Sequence, residues 1–178
     1  MEPVTSAVLR AFFQRLGERY PGACEFYLLG GSALCLLGNL RQTLDIDYAV
    51  ELAPDDSLEP LEAALTELAS EMQLDLENVP LAEFIPLLPQ AHERRRLVGR
   101  FGGMDVYIFD LYSIALSKIA RGFDSDLEDV LFMLREGLIE YGDLEGHFND
   151  VLPQAPKADI VPSEFRAYFE EIRRRLER

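Results

Sequence analysis

Cysteine and histidine are scarce in this sequence, two of each, and they are too scattered to show the paired ligand spacing of a structural zinc site. Cys24 and Cys35 stand apart from any C-x-x-C pattern, so they read as thiols in a reducing compartment and not as a disulfide scaffold. Long apolar runs are missing too: nothing approaches the ~18 consecutive apolar residues of a membrane span. No basic region followed by an apolar run opens the chain. The expectation is a soluble, cytoplasmic protein with no membrane partner. The length, 178 residues, suits a domain that buries roughly 70% of the surface its unfolded chain exposes, without metal or disulfide support.

Basic charge is absent from one long stretch. Between Gln42 and Glu93 there are 13 acids and no Lys or Arg. The rest of the chain holds 19 acids against 17 bases, so nearly all of the net charge of −15 falls in that segment. A uniformly acidic surface excludes broad binding to polyanions. Here only one region repels phosphate, and it is followed by Arg94, Arg95, Arg96, Arg100, Lys118 and Arg121. Two solvated faces would explain both runs as well.

What is present begins with periodicity. Thr5 or Ser6 caps a helix reaching about Tyr20, with Val8, Phe12, Leu16 and Tyr20 on one face, and Pro21-Gly22 ends it. Cys24–Leu29 is a short buried strand, closed by Gly30-Gly31-Ser32 before a second apolar stretch. In Leu44–Val50, Leu44, Ile46, Tyr48 and Val50 alternate with Asp45, Asp47 and Ala49, the pattern of a half-buried strand with both carboxylates on its other face. A helix follows to about Met72, and the proline-containing segment 74–90 resists assignment. Leu97–Phe101 and Met104–Phe109 flank Gly102-Gly103 as an antiparallel hairpin. Helices are expected over Leu111–Arg121, Asp126–Glu136, Tyr141–Leu152 and Ser163–Arg178. The layout is α/β (α+β) over residues 1–110 and helical over 111–178.

The stretch richest in chemistry joins Gly30-Gly31-Ser32 to Asp45-Ile46-Asp47. A glycine pair after a strand lets backbone approach a phosphate, and N–H groups at the helix start point toward the anion. Asp45 and Asp47 project from one face, roughly 6–7 Å apart along the strand, as suits a hard divalent cation. Alone, a Gly-Gly turn is usually a turn and an Asp pair usually a solvated face. Together, on consecutive elements of one small unit, they make a phosphate cradle and a metal platform.

Leu29-Gly30-Gly31-Ser32, then Arg41, Thr43, Asp45, Ile46 and Asp47, resembles the signature of the DNA polymerase β-type nucleotidyltransferase superfamily, and more closely its small bacterial branch of AbiEii and MenT toxin-like proteins. Asp110–Arg121 followed by Asp126-Leu127-Glu128-Asp129 is similar to a second block of that branch. The resemblance implies a mixed sheet with flanking helices, and a site using Mg²⁺ or Mn²⁺ held by Asp45 and Asp47. It gives Gly30, Gly31 and Ser32 to the phosphates of a nucleoside triphosphate. A third carboxylate usually comes from a neighbouring strand, and Asp105 fits by position if Met104, Val106 and Ile108 pack inward. A surface residue beside a turn is the other reading of Asp105.

Lys118 and Arg121 lie three apart on one helical face and can both meet phosphate, although Lys118 can equally snorkel from the edge of an apolar face. Asp126 and Asp129 suit a helix start and can pair with Arg121, or orient Lys118 or Arg121. His92 and His147 have no partners at ligand spacing and read as ordinary polar residues. The expected activity is metal-dependent transfer of a nucleoside monophosphate to a hydroxyl of RNA or protein. Two rivals remain: a nucleotide-binding module of the same fold that performs no transfer, and the toxin half of a pair with a cognate antitoxin. For an RNA acceptor, Arg94–Arg100 is the candidate contact surface.

Overall fold

Thr5 accepts the backbone N–H of Val8 on its side chain at 3.2 Å and caps helix α1, Ser6–Arg19. The computed structural model describes residues 3–178. The chain continues through strand β1 (Cys24–Leu28), helix α2 (Gly30–Leu36), strand β2 (Asp45–Glu51), helix α3 (Glu59–Met72) and strand β3 (Asp75–Asn78). Strands β4 (Arg96–Phe101) and β5 (Met104–Ile108) form the expected hairpin, and Gly102 takes the positive φ of its turn, 60°.

These strands build one mixed sheet in the order β3-β2-β1-β5-β4. β1 runs antiparallel to β2 and parallel to β5, while β2 and β3 are parallel. Parallel neighbours need a long crossover, which α3 supplies between β2 and β3. The apolar face of the sheet carries Phe26, Leu28, Ile46, Met104, Val106 and Ile108, all buried. Phe13 of α1 meets Phe26 edge-on at 5.3 Å, and Phe26 stacks on Tyr48 at 5.1 Å. Each fully buried aromatic or aliphatic side chain contributes about 1.5–3 kcal/mol, so this layer accounts for much of the unit's cohesion.

The opposite face is polar. Cross-strand register puts Glu25 beside Glu51 and Asp105, and Tyr27 beside Ala49 and Tyr107. Asp45 and Asp47 share that face by the alternation of β2. Tyr27 is fully buried there, stacked on Tyr107, and its hydroxyl donates to Glu25 at 2.6 Å while accepting from Arg95 at 3.0 Å. Burial first, and the Glu25 acceptor next, raise the Tyr27 pKa and keep the hydroxyl protonated as a donor.

The chain divides into two compact units. The sheet-bearing unit comprises residues 1–80 and 95–109; the second comprises 81–94 and 110–178. Within the second, α4 (Leu111–Arg121), α5 (Asp124–Arg135), α6 (Tyr141–Val151), a 3₁₀ segment (Leu152–Ala158) and α7 (Pro162–Leu176) pack together. Its core includes Phe148 stacked on Phe169 at 4.1 Å. Asp110 caps α4 through the N–H groups of Tyr112 and Ser113 and accepts both arms of Arg94 at 2.8 Å.

Two elements differ from the sequence expectation. α2 begins at Gly30, so the glycine pair forms the first turn of the helix instead of a loop before it. β3 lies inside the segment that had no assignment. It is an exposed edge strand of four residues with only Leu76 apolar, so it carries little hydrophobic alternation to read.

Candidate functional site

Three carboxylates converge at one end of the polar face. Asp45, Asp47 and Glu77 each offer an oxygen, and these oxygens lie within 4.8 Å of one another. Two causes bring them together. The i, i+2 spacing in β2 puts Asp45 and Asp47 on one side, and the parallel register sets Glu77 of β3 directly beside Asp47. Asp45 and Glu77 are exposed and Asp47 is half-buried. An all-oxygen, anionic donor set at this spacing fits a hard divalent cation, whose remaining positions water and phosphate can fill. It does not fit a soft metal, which favours sulfur and imidazole.

The start of α2 meets this cluster. Gly30 has φ +56°, and a methyl group built on it would overlap the Asp47 carboxylate. The backbone fixes the approach further, since the Leu29 N–H donates to the Asp47 carbonyl at 3.0 Å. A Cβ on Gly31 would sit 3.1 Å from Thr43 and 3.5 Å from the Arg41 guanidinium. Gly31 thus makes room for the Thr43 side chain and keeps the helix start close to a cationic one. Ser32 is fully buried, and its hydroxyl donates to the Leu29 carbonyl at 3.0 Å, closing the turn. Its hydroxyl proton is therefore already used inside the turn.

Asp105 lies on the expected face but at the wrong end. Met104, Val106 and Ile108 do pack inward, which turns Asp105 to the polar side. The register then places it beside Glu25, which itself faces Glu51. That level is four residues from Asp47 along β2, roughly 13 Å at strand rise. There Asp105 accepts two hydrogen bonds from Arg100, at 2.6 and 2.9 Å, and that pairing holds its carboxyl below the usual range. A cavity of about 550 Å³ opens beside it, lined by Cys24, Glu25, Glu51, Asp56, Arg100 and Asp105 among others. The third carboxylate of the cluster is Glu77, which sequence reasoning missed. A usable signal existed: a helix between β2 and a short segment with Leu74 and Leu76 two apart marks a βαβ unit, whose second strand lies parallel to the first.

The remaining predicted residues come together within the helical unit. Lys118 is buried, and its ammonium pairs with Asp126 at 3.2 Å and Asp129 at 2.8 Å. Arg121 reaches the same Asp126 at 2.6 Å. Lys118 therefore does not snorkel to water; it is the centre of a buried ion cluster. The basic run is likewise engaged internally: Arg94 with Asp110, Arg95 with Glu25, and Arg100 with Asp105. The C-terminal arginines follow suit, Arg173 with Glu170, Arg174 with Glu171, and Arg175 with Asp124, Glu128 and Glu171.

A mixed sheet with an Asp-x-Asp pair facing a glycine-opened helix defines a nucleotidyltransferase-like fold. Over residues 9–173 the sequence matches the family described as "Nucleotidyltransferase of unknown function (DUF6036)", and the chain belongs to that family. Family and fold together imply a nucleotide substrate. The fold is similar to the crystal structure of an antigenic nucleotidyltransferase-like protein from Paracoccidioides brasiliensis, with TM-score 0.51 and 16% identity over 93% of this chain and 95% of that one. No curated protein matches the sequence. Among the described residues, no helix is long and apolar enough to cross a membrane.

Proposed function

We propose that this protein is a divalent-cation-dependent nucleotidyltransferase, transferring a nucleoside monophosphate from a nucleoside triphosphate to a hydroxyl of an RNA or protein acceptor. The observation that carries this reading is the convergence of Asp45, Asp47 and Glu77 beside the glycine-opened start of α2. These three carboxylates hold the cation, Mg²⁺ or Mn²⁺, with Glu77 taking the role first assigned to Asp105. When bound, such a cation supplies Lewis-acid stabilisation of charge on phosphate oxygens and on the attacking hydroxyl.

The chain's own residues provide placement. Backbone at Gly30, Gly31 and Ser32 receives the phosphate tail, and Arg41 beside Gly31 supplies positive charge in a segment otherwise rich in carboxylates. The acceptor hydroxyl gives up its proton to solvent and its oxygen bonds to the α-phosphorus as the bond to the bridging oxygen breaks and pyrophosphate leaves. Orientation and charge neutralisation are the main demands of such an in-line displacement.

Incubation with Mn²⁺ or Mg²⁺, each labelled triphosphate, total RNA and cell protein tests the reading. Label transfer with pyrophosphate release is expected, and Asp45→Asn or Asp47→Asn lowers it by more than about 100-fold, since even partners of metal ligands are worth 10–100-fold. No transfer to any acceptor, or transfer that survives both substitutions, sinks the proposal. A toxin role with a cognate antitoxin, suggested by the resemblance to AbiEii and MenT proteins, requires growth arrest on expression that Asp45→Asn relieves.

A further inference from the structure

We infer that Thr43 is a positioning residue of this metal centre, its hydroxyl holding the Asp45 carboxylate in the orientation a divalent cation requires. The inference rests on the metal-centre reading above and extends it to a residue that acts through Asp45.

Thr43 precedes β2 and belongs to no helix or extended strand, yet it is only 8% exposed. Its backbone is fixed from outside the loop. The Val4 N–H donates to the Thr43 carbonyl at 2.9 Å, forming an isolated antiparallel bridge, and the Cys35 thiol donates to the Val4 carbonyl at 3.6 Å. From this anchored position the Thr43 hydroxyl donates to Asp45 Oδ1 at 2.9 Å, with a longer approach of 3.4 Å to the Asp45 carbonyl. The same side chain stands 3.1 Å from where a Cβ on Gly31 would be. Gly31 therefore leaves the room in which the threonine sits.

The physical consequence concerns Asp45. It is exposed and at the first position of its strand, where a carboxylate without a partner would sample several rotamers. A hydroxyl has one proton to give. Donated to Oδ1, it fixes the carboxylate and leaves the other oxygen and the remaining lone pairs available. Partners of this kind orient metal ligands and typically contribute 10–100-fold to affinity.

Mn²⁺ titration of the intact protein, followed by the loss of the free-ion electron paramagnetic resonance signal, reads this without any turnover. Thr43→Val, which keeps the shape and removes the donor, is expected to weaken Mn²⁺ binding by about 10–100-fold, while Thr43→Ser restores near-wild-type affinity. Should the valine variant fail to fold, Thr43→Ala is expected to show the same loss. A purely structural threonine would lower the metal-free melting temperature and leave the Mn²⁺ affinity of the folded protein unchanged, which overturns the inference. Serine binding as poorly as valine overturns it as well. If the wild type binds Mn²⁺ and Asp45→Asn weakens binding while Thr43→Val does not, this inference alone fails. If the wild type binds no Mn²⁺, the metal-centre reading fails with it.

Discussion

Gly30 combines a left-handed φ of +56° with a carboxylate where its side chain would be, and both features serve the same contact between α2 and β2. Gly30→Ala meets two penalties: about 1–2 kcal/mol for the left-handed backbone, and displacement of Asp47. Gly38 provides the control, because its φ of +94° is equally glycine-favouring while nothing lies within 4 Å of an added Cβ. Both alanine variants are expected to lose stability in urea denaturation, Gly30→Ala at least as much as Gly38→Ala. Only Gly30→Ala is expected to lose transfer activity, by at least about 10-fold through the displaced ligand.

Cys24 gives a pH-dependent prediction at the same scale. Burial first, then the nearby Asp105 and Glu25 carboxylates, push its thiol from an ordinary value of 9.0 up to about 11. A raised pKa in the folded state means the stabilising, neutral form is fully present below the unfolded value. It is then lost as pH rises through the folded one. Stability attributable to Cys24 should therefore fall between pH 9 and about 11, by at most about 3 kcal/mol at about 1.4 kcal/mol per pKa unit. Chemical denaturation of the wild type and Cys24→Ala across that window checks this. The difference between the two curves isolates the thiol from Tyr20 and Tyr48, whose burial raises their pKa values too. Parallel curves would disprove it.

At the scale of elements, α4 and α5 are joined by ions as well as by apolar packing. Lys118 on α4 faces Asp126 and Asp129, which lie three residues apart on α5, and all three side chains are at most 3% exposed. Losing Lys118 leaves Asp126 with Arg121 but takes the buried ammonium away from Asp129, and breaking a buried pair costs about 3–5 kcal/mol. Lys118→Met is expected to destabilise the helical unit by that amount in urea, although methionine fills a similar volume. A loss below about 1 kcal/mol, the range of exposed ion pairs, would contradict the buried geometry. Sequence pattern located both helices and singled out this lysine, since Ile114, Ala115, Leu116, Ile119 and Ala120 surround it in the chain. Pattern alone left its partner open between phosphate, water and carboxylate. The choice depends on how α5 packs against α4, and that is a tertiary fact.

For the whole molecule, the uneven charge of the sequence acquires a structural meaning. The 13 acids between Gln42 and Glu93 include all three members of the carboxylate cluster. The arginines that follow are largely engaged with carboxylates inside the chain: Arg94 with Asp110, Arg95 with Glu25 and Arg100 with Asp105. Local sequence determined the elements wherever periodicity was strong: α1 with its Thr5 cap, the alternation of β2, the hairpin at Gly102, and the shared face of Asp45 and Asp47. Those features depend on residues within a few positions of each other, and short-range sterics and side-chain alternation suffice to specify them. Even the face of Asp105 was legible, because inward packing of Met104, Val106 and Ile108 settles it. Its distance from the site was not, because that depends on strand order and register. β1 lies between β2 and β5, and its antiparallel pairing with β2 carries Asp105 to the far end. The parallel addition of β3 brings Glu77 abreast of Asp47. Alternation assigns a side chain to a face, but only pairing between distant segments decides which carboxylates share a cation.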